Sequence, residues 1–379
     1  MSLQEFLENK PLYYTEIDYT RMPRVYEKIK LHFNQKNIIH IVGTNGKGTT
    51  GRFLATALYN MGYKTAHYTS PHILEFNERI WMNGENVSYE SLEISHEKLQ
   101  GLLSSEDINS LSYFEYTTFL AMLAFKECEY IVLEAGLGGE HDATAVFDKV
   151  LTLVTPIAYD HESFLGNTIE LIAREKLNAI QNNAIIARQK YEAVYDVVRE
   201  VEEKNCNVYQ LEKYLSIDAT LEEVTRTLSL SEYLRDNLQL SMAALQFLGL
   251  SYKVKDFKDS QLFGRLTKFK DNIILDVGHN PLAAESIAKS LNGVKYTLIY
   301  NTYKDKEYKK ILHILKPIIQ NVEIIEINEQ RIESKAQLQN TLKGLEIEYK
   351  TFTAINENEK YLVFGSFSVV EAFLKAYSG

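Results

Sequence analysis

Seven consecutive residues, Gly43-Thr44-Asn45-Gly46-Lys47-Gly48-Thr49, bring together the groups needed to hold a phosphate chain. Glycines let the backbone turn its N–H groups inward as an anion nest. Lys47 adds a point charge suited to β- and γ-phosphates, and Thr49 places a hydroxyl where a helix would begin. The segment is not a strict G-x-x-x-x-G-K-[ST], because Gly48 separates Lys47 from Thr49. A glycine turn that only caps a helix is the plain alternative. Three glycines and a lysine in so short a stretch argue against it.

Such a loop works when a strand delivers it and a helix N-terminus receives it. Asn37–Val42 (NIIHIV) is apolar and β-branched, which predicts the strand. Phe53, Leu54, Ala57, Leu58 and Met61 recur at helical spacing until Gly62 stops them. Further strands are predicted at Tyr130–Glu134, Val150–Thr155 and Asn183–Ala187, with helices around Glu115–Lys126 and Thr168–Gln181. This alternation predicts a parallel sheet covered by helices on both faces.

Ser231–Leu248 reads as one long helix closed by Gly249, and the polar, lysine-rich Ser251–Gln261 marks a boundary. Residues 1–255 are expected to form the phosphate-binding domain. Residues 256–379 are expected to form a smaller Rossmann-like α/β domain. Its strands fall at Asn272–Asp276, Tyr296–Tyr300, Val322–Ile327 and Tyr361–Phe364, with a helix from Pro281 to about Leu291.

Composition sets limits. At 379 residues the chain exceeds one ordinary domain. Hydrophobic content of 45% and charged content of 24% exclude the disordered and collagen-like classes. A net charge of −10 argues against a nucleic-acid binder with a broad basic face, while leaving room for locally held anions. Cys128 and Cys206 are too few and too far apart for a CxxC site or a disulfide framework, which points to a reducing cytoplasm. The N-terminal MSLQEFLENKPLYYTEID has no basic n-region and no apolar h-region, and no apolar run approaches the ~20 residues that span a bilayer. The expectation is a soluble cytoplasmic protein without nucleic-acid or membrane partners.

Further segments carry a resemblance. GTNGKGT resembles the phosphate loop of the Mur ligase superfamily, ATP-dependent enzymes that join an amino acid to a carboxylate. Thr69-Ser70-Pro71-His72 and Phe76-Asn77-Glu78-Arg79-Ile80 resemble the TSPHL…FNERI loop of folylpolyglutamate synthase/dihydrofolate synthase. Leu133–Gly139 with Asp142-Ala143-Thr144 resembles LEVGLGGRLDATN, and Pro156–Lys176 resembles PIxxDHxxxLGxTxxxIAxEK. Phe263-Gly264-Arg265 resembles PGR, and Asp276–Pro281 resembles D-x-x-HNP. The matches run in order from about residue 17 to residue 367. Three stretches depart from the pattern. Glu140-His141 stands for Arg-Leu, Ala145 for Asn, and Leu177-Asn178-Ala179-Ile180 follows Lys176 where the family has Ala-Gly-Ile.

The resemblance implies a ligase that adds L-glutamate to dihydropteroate and to the folate γ-carboxyl through an acyl phosphate, with ATP and two magnesium ions. It implies metal ligands at Ser70, Glu134, His161 and Lys176, the last as a carbamate, with Lys47, Lys176 and His161 counted as catalytic. It places Gly43, Thr44, Asn45, Gly46, Lys47, Gly48, Thr49, Asn237, Arg265 and Asp276 on ATP, which then sits between the domains. It places Tyr113, Phe114, Glu115, Tyr116 and Asp142 on the pterin, and His279 and Asn280 towards glutamate. On residue type alone, Glu134 at a strand end would be a cap or an ion pair, Lys176 a solvated helix lysine, and the YFEY segment core packing at a helix start. A monomer suffices for this chemistry. Rival readings are another Mur-superfamily ligase, a monofunctional folylpolyglutamate synthase, and a nucleotide-operated switch.

Overall fold

The computed structural model describes residues 1–10, 18–33, 37–215 and 219–378, so the start of the resemblance near residue 17 lies outside the described residues. Two units divide the chain: Met1–Leu230 with Leu234–Ser260, and Ser231–Tyr233 with Gln261–Gly379. The helix expected at Ser231–Leu248 runs Glu232–Phe247.

The first unit holds the strands β1 (Asn37–Val42), β2 (Thr65–Tyr68), β3 (Ile80–Met82), β4 (Glu85–Asn86), β5 (Tyr130–Glu134), β6 (Leu151–Val154), β7 (Asn183–Ile186) and β8 (Asn207–Gln210). They form one sheet in the order β4-β3-β2-β5-β1-β6-β7-β8. Pairing is parallel from β2 to β8, and β1 sits between β5 and β6. The strands expected from the sequence pair in parallel, and β3 and β4, which were not among them, add antiparallel pairings at one edge. Between β3 and β4, Asn83 and Gly84 both take positive φ and turn the chain back as a hairpin.

Strand alternation explains the core. Ile39 and Ile41 pack with Phe53, Leu54, Ala57 and Leu58 of the helix Lys47–Asn60. Ile38, on the opposite face, joins the cluster of Tyr116, Phe119 and Phe147.

The second unit contains β9 (Thr267–Lys270), β10 (Ile273–Asp276), β11 (Tyr296–Tyr300), β12 (Ile319–Ile324), β13 (Tyr349–Thr351) and β14 (Tyr361–Phe364). Their order is β13-β12-β11-β14-β10-β9, parallel except for β9 against β10. Among the described residues no helix is long and apolar enough to cross a membrane.

Candidate functional site

The phosphate loop leaves β1 at its carboxyl end, between two parallel neighbours, the edge of an open α/β sheet where ligands bind. Gly43 has φ +138°, and a Cβ there would lie 2.0 Å from Thr155 Oγ1. Gly46 has φ +89°, and a Cβ there would lie 2.4 Å from Asn237 Oδ1. Only glycine fits at either position. The second contact also brings the sequence-predicted Asn237 to the loop. The Thr44 and Asn45 amides donate to Pro156 O at 2.9 and 3.3 Å. The Thr44 hydroxyl donates to Ala158 O at 3.1 Å and accepts from the Ala158 amide at 3.0 Å. Gly48 and Thr49 fall in the first turn of the helix.

Lys47 opens that helix. Its Nζ donates to Gly43 O and Thr44 O, each at 3.4 Å, and lies 3.8 Å from Glu134 Oε1. Thr49 Oγ1 is buried and makes no hydrogen bond. A buried hydroxyl without a partner costs stability, so this one suits a phosphate oxygen or its cation.

Glu134 ends β5 and is nearly buried. Its Oε2 accepts from the Thr69 hydroxyl, and from the Ser70 amide at 3.3 Å. Ser70 and Glu134 are therefore brought together. Lys176 lies on the helix Ile169–Leu177 with its side chain buried, and Nζ donates to Gly43 O at 3.1 Å. Burial first, and then the charge of Lys47, push its pKa down to about 7. A lysine amine that is neutral near physiological pH can take up CO₂ and release a proton, leaving a carbamate. His161 has φ +51°, with Nε2 3.9 Å from Asp160 Oδ2 and a partly exposed side chain. The oxygen donors of Ser70, Glu134 and a Lys176 carbamate fit a hard cation such as magnesium, and the orphaned Thr49 hydroxyl of the phosphate loop is a donor of the same hard kind. The imidazole of His161 is the softer member of the set.

On the acceptor side, several of the expected pterin contacts already have partners within the chain. Tyr113–Ala124 forms a helix capped by Ser112. Glu115 is the other half of that capping box, accepting from the Ser112 amide at 2.7 Å and pairing with Arg21 Nε at 2.7 Å. Tyr116 is fully buried, and its hydroxyl meets His96 Nδ1 at 2.8 Å and Gln100 Nε2 at 2.9 Å. Neither presents a free group to a pterin. Asp142 is also committed to the chain itself. Oδ2 accepts from the Gly136 and Leu137 amides at 2.9 Å each. Oδ1 accepts from the Thr144 amide at 2.9 Å and its hydroxyl at 2.6 Å. A carboxylate has about four acceptor positions, and all are taken. Burial pushes its pKa up against these bonds. Tyr113 lies under the Arg79 guanidinium, 5.4 Å from its ring centroid. Phe114, half-buried, lies against Gly136 and 5.7 Å from the Tyr68 ring, so of the four it is the ring that borders the glycine loop.

Two departures from the family pattern meet here. Asn178 Nδ2 donates to Glu140 at 2.7 Å, and His141 Nδ1 lies 3.2 Å from Glu175 Oε2.

In the second unit, the Arg265 guanidinium stacks over Phe367 at 5.1 Å and donates to Gly264 O. Asp276 accepts from Leu266 N and Gly278 N at 2.8 Å each and from the Tyr233 hydroxyl at 3.0 Å. Burial pushes the Asp276 pKa up. Asn280 caps the helix Pro281–Ser290 through the Ala283 amide at 3.0 Å, and His279 Nδ1 lies 3.2 Å from Val277 O.

Sequence reasoning passed over several participants. Thr69 and Tyr233 each donate a hydroxyl to an expected site carboxylate, Glu134 and Asp276 respectively, and nothing in their residue type signals it. In FNERI, Glu78 folds the loop by accepting from the Ile73, Leu74 and Glu75 amides at 2.7, 2.9 and 2.8 Å. Arg79 Nε donates to His72 Nδ1 at 2.8 Å, and burial together with that guanidinium pushes His72 down to about 4.

No protein-family model matches the chain. A curated dihydrofolate synthase/folylpolyglutamate synthase of Buchnera aphidicola (from Acyrthosiphon pisum) is 30% identical, over 98% of this chain and 95% of that protein. The crystal structure of Helicobacter pylori folylpolyglutamate synthetase is 39% identical with TM-score 0.82, covering 99% of this chain and 98% of that one. Escherichia coli FolC in complex with DHPP and ADP is 25% identical with TM-score 0.82, covering 98% and 95%. Sequence, fold and phosphate loop agree: the chain belongs to the dihydrofolate synthase/folylpolyglutamate synthase family of ATP-dependent acid–amino-acid ligases.

Proposed function

We propose that one site in this chain joins L-glutamate both to dihydropteroate and to the γ-carboxyl of a reduced folate. The observation that carries this is the meeting of Lys47, Glu134 and Lys176 around Gly43, with Gly139 of the Gly136–Asp142 loop packed against the Lys176 backbone. The Buchnera relative, which bears both activities in its name, matches almost end to end.

The acceptor carboxylate attacks the γ-phosphorus of ATP, the bridging P–O bond breaks, and ADP leaves. The glutamate amine, having lost a proton, attacks the acyl-phosphate carbonyl, and inorganic phosphate leaves with the C–O bond electrons. The amides at the helix N-terminus, from Gly46 to Thr49, hold the phosphates, since those of Thr44 and Asn45 are bonded to Pro156 O. Lys47 exchanges its loop carbonyls for phosphate oxygens and offsets charge as the phosphoryl group moves. Phe114 offers a flat face to the pterin. Ser70, Glu134, His161 and a Lys176 carbamate would hold magnesium, which when bound neutralises phosphate charge. Arg265 and Asp276 as nucleotide contacts, and His279 and Asn280 as glutamate contacts, are supported by the resemblance. Cytoplasmic location and a monomer complete the reading, with Cys128 and Cys206 as free thiols.

The test is phosphate release and product mass with MgATP and L-glutamate, offering dihydropteroate and a reduced folate monoglutamate in separate tubes. Turnover of both is expected. A monofunctional folylpolyglutamate synthase is the second reading, favoured by the saturated Asp142 carboxylate. Turnover of folate alone selects it. Turnover of neither, with ATP still bound, means the acceptor has been misassigned.

A further inference from the structure

We infer that His40, inside β1, is a positioning residue for the acceptor substrate, acting through Thr144 on the Gly136–Asp142 loop. The inference rests on the reading that this loop borders the acceptor.

His40 is an unusual resident for a central strand. It is fully buried, flanked in sequence by Ile39 and Ile41, and alternation turns it to the face opposite theirs. There Nε2 lies 2.7 Å from Thr144 Oγ1. The Thr144 hydroxyl is spent as a donor on Asp142 Oδ1 at 2.6 Å, so towards His40 it can only accept. His40 must then carry its proton on Nε2. That leaves Nδ1 bare, in keeping with its buried position without a hydrogen-bond partner. Burial holds the imidazole neutral, because a second N–H there would have nothing to bond.

The relay is directional: His40 N–H to Thr144 oxygen, Thr144 O–H to Asp142. Its last member folds the glycine loop, since Asp142 Oδ2 receives the Gly136 and Leu137 amides at 2.9 Å each. Phe114, the aromatic neighbour of that loop, packs on Gly136. The strand that delivers the phosphate loop thus also fixes the shape of the acceptor loop. An orphaned Nδ1 is a cost that a plain core residue would not carry. The donor on the other nitrogen is what offsets it.

The experiment measures kcat, KM for each acceptor, KM for ATP and thermal stability in the full chain. His40→Met removes the donor at similar volume, Thr144→Val removes the relay hydroxyl at the same shape, and His40→Gln returns an N–H near the ε position. Acceptor KM should rise about tenfold in His40→Met and Thr144→Val, the size of one buried hydrogen bond, with ATP KM held within about twofold. His40→Gln should recover most of the loss. The double variant should be no worse than Thr144→Val alone. If His40→Met does not fold, Thr144→Val carries the test. An unchanged acceptor KM in folded Thr144→Val overturns the relay, and so does a parallel rise in ATP KM. Phe114→Ala separates the two ideas. If it shifts acceptor KM and Thr144→Val does not, only the relay falls. If Phe114→Ala also leaves acceptor KM unmoved, the loop does not border the acceptor and both readings fall.

Discussion

The ammonium nitrogen of Lys176 donates to the carbonyl oxygen of Gly43 at 3.1 Å, fastening the helix Ile169–Leu177 to the first residue of the phosphate loop. A lysine held inside the protein against a neutral carbonyl rather than a carboxylate is poised to give up its proton. Its depressed pKa of about 7 makes the neutral amine the major form above that pH.

Lys176→Met should abolish ligation, by about 100-fold or more, while ATP still binds, because positioning at the phosphoryl step depends on every charged group present. In the wild type, bicarbonate should activate enzyme prepared free of CO₂, and activation should strengthen as pH rises through 7 and the amine loses its proton. Mass spectrometry without acid should find a carbamate on Lys176. Full activity in rigorously CO₂-free buffer would rule the modification out.

Glu134→Gln keeps the shape of the β5 terminus and its bond to Thr69 but removes the charge facing Lys47. The concentration of magnesium or manganese needed for half-maximal phosphate release should rise at least about tenfold. Metal dependence unchanged in the variant would move the cation elsewhere.

Gly46→Ala meets two obstacles, a left-handed φ of +89° and Asn237 Oδ1 2.4 Å from the new methyl. The strain alone costs roughly 1–2 kcal/mol, so nucleotide affinity and melting temperature should both fall. Adding Asn237→Ala relieves the clash but not the dihedral, so isothermal titration should show partial recovery at best.

Lys149 is buried, with Nζ donating to Ala145 O at 2.9 Å and Ala179 O at 3.4 Å. Burial pushes its pKa from the usual 10.5 down to about 8. Between those values the unfolded chain binds the extra proton, so unfolding free energy from this group rises with pH, by up to about 1.4 kcal/mol per pH unit. Denaturant unfolding of wild type and Lys149→Met should diverge between about pH 8 and 9.5, the wild type gaining stability relative to the variant, because the Lys176 contribution is common to both. Parallel curves would contradict the assignment.

Much of this was legible in the sequence because its signals are local. The runs NIIHIV, YIVLE and VLTLVT needed only apolar, β-branched residues to reveal β1, β5 and β6. The glycines and lysine of the phosphate loop needed only their spacing. The hairpin at Asn83-Gly84 was also written locally, in the Asn-Gly pair, but β3 and β4 are too short to show a period. What stayed hidden was the partner of each polar group. Glu115 and Tyr116 look like ligand contacts until Arg21, Ser112, His96 and Gln100 are seen to occupy them. Nothing in the one-dimensional order pairs His40 with Thr144, because that contact exists only once the strand and the loop have been folded together.

Sequence drift around the phosphate loop is one-sided. Where a side chain at position 43 would begin, Thr155 already offers its hydroxyl at 2.0 Å and its carbonyl oxygen at 2.8 Å. Trimming Thr155 to glycine removes the first obstacle and leaves the second. No change at 155 therefore licenses anything but glycine at 43, whereas 155 can exchange among small residues beneath a fixed glycine. A library randomised at both positions should return clones with Gly43 throughout and a spread of serine, alanine and threonine at 155. Of two touching residues, one is a variable for evolution and the other a constant.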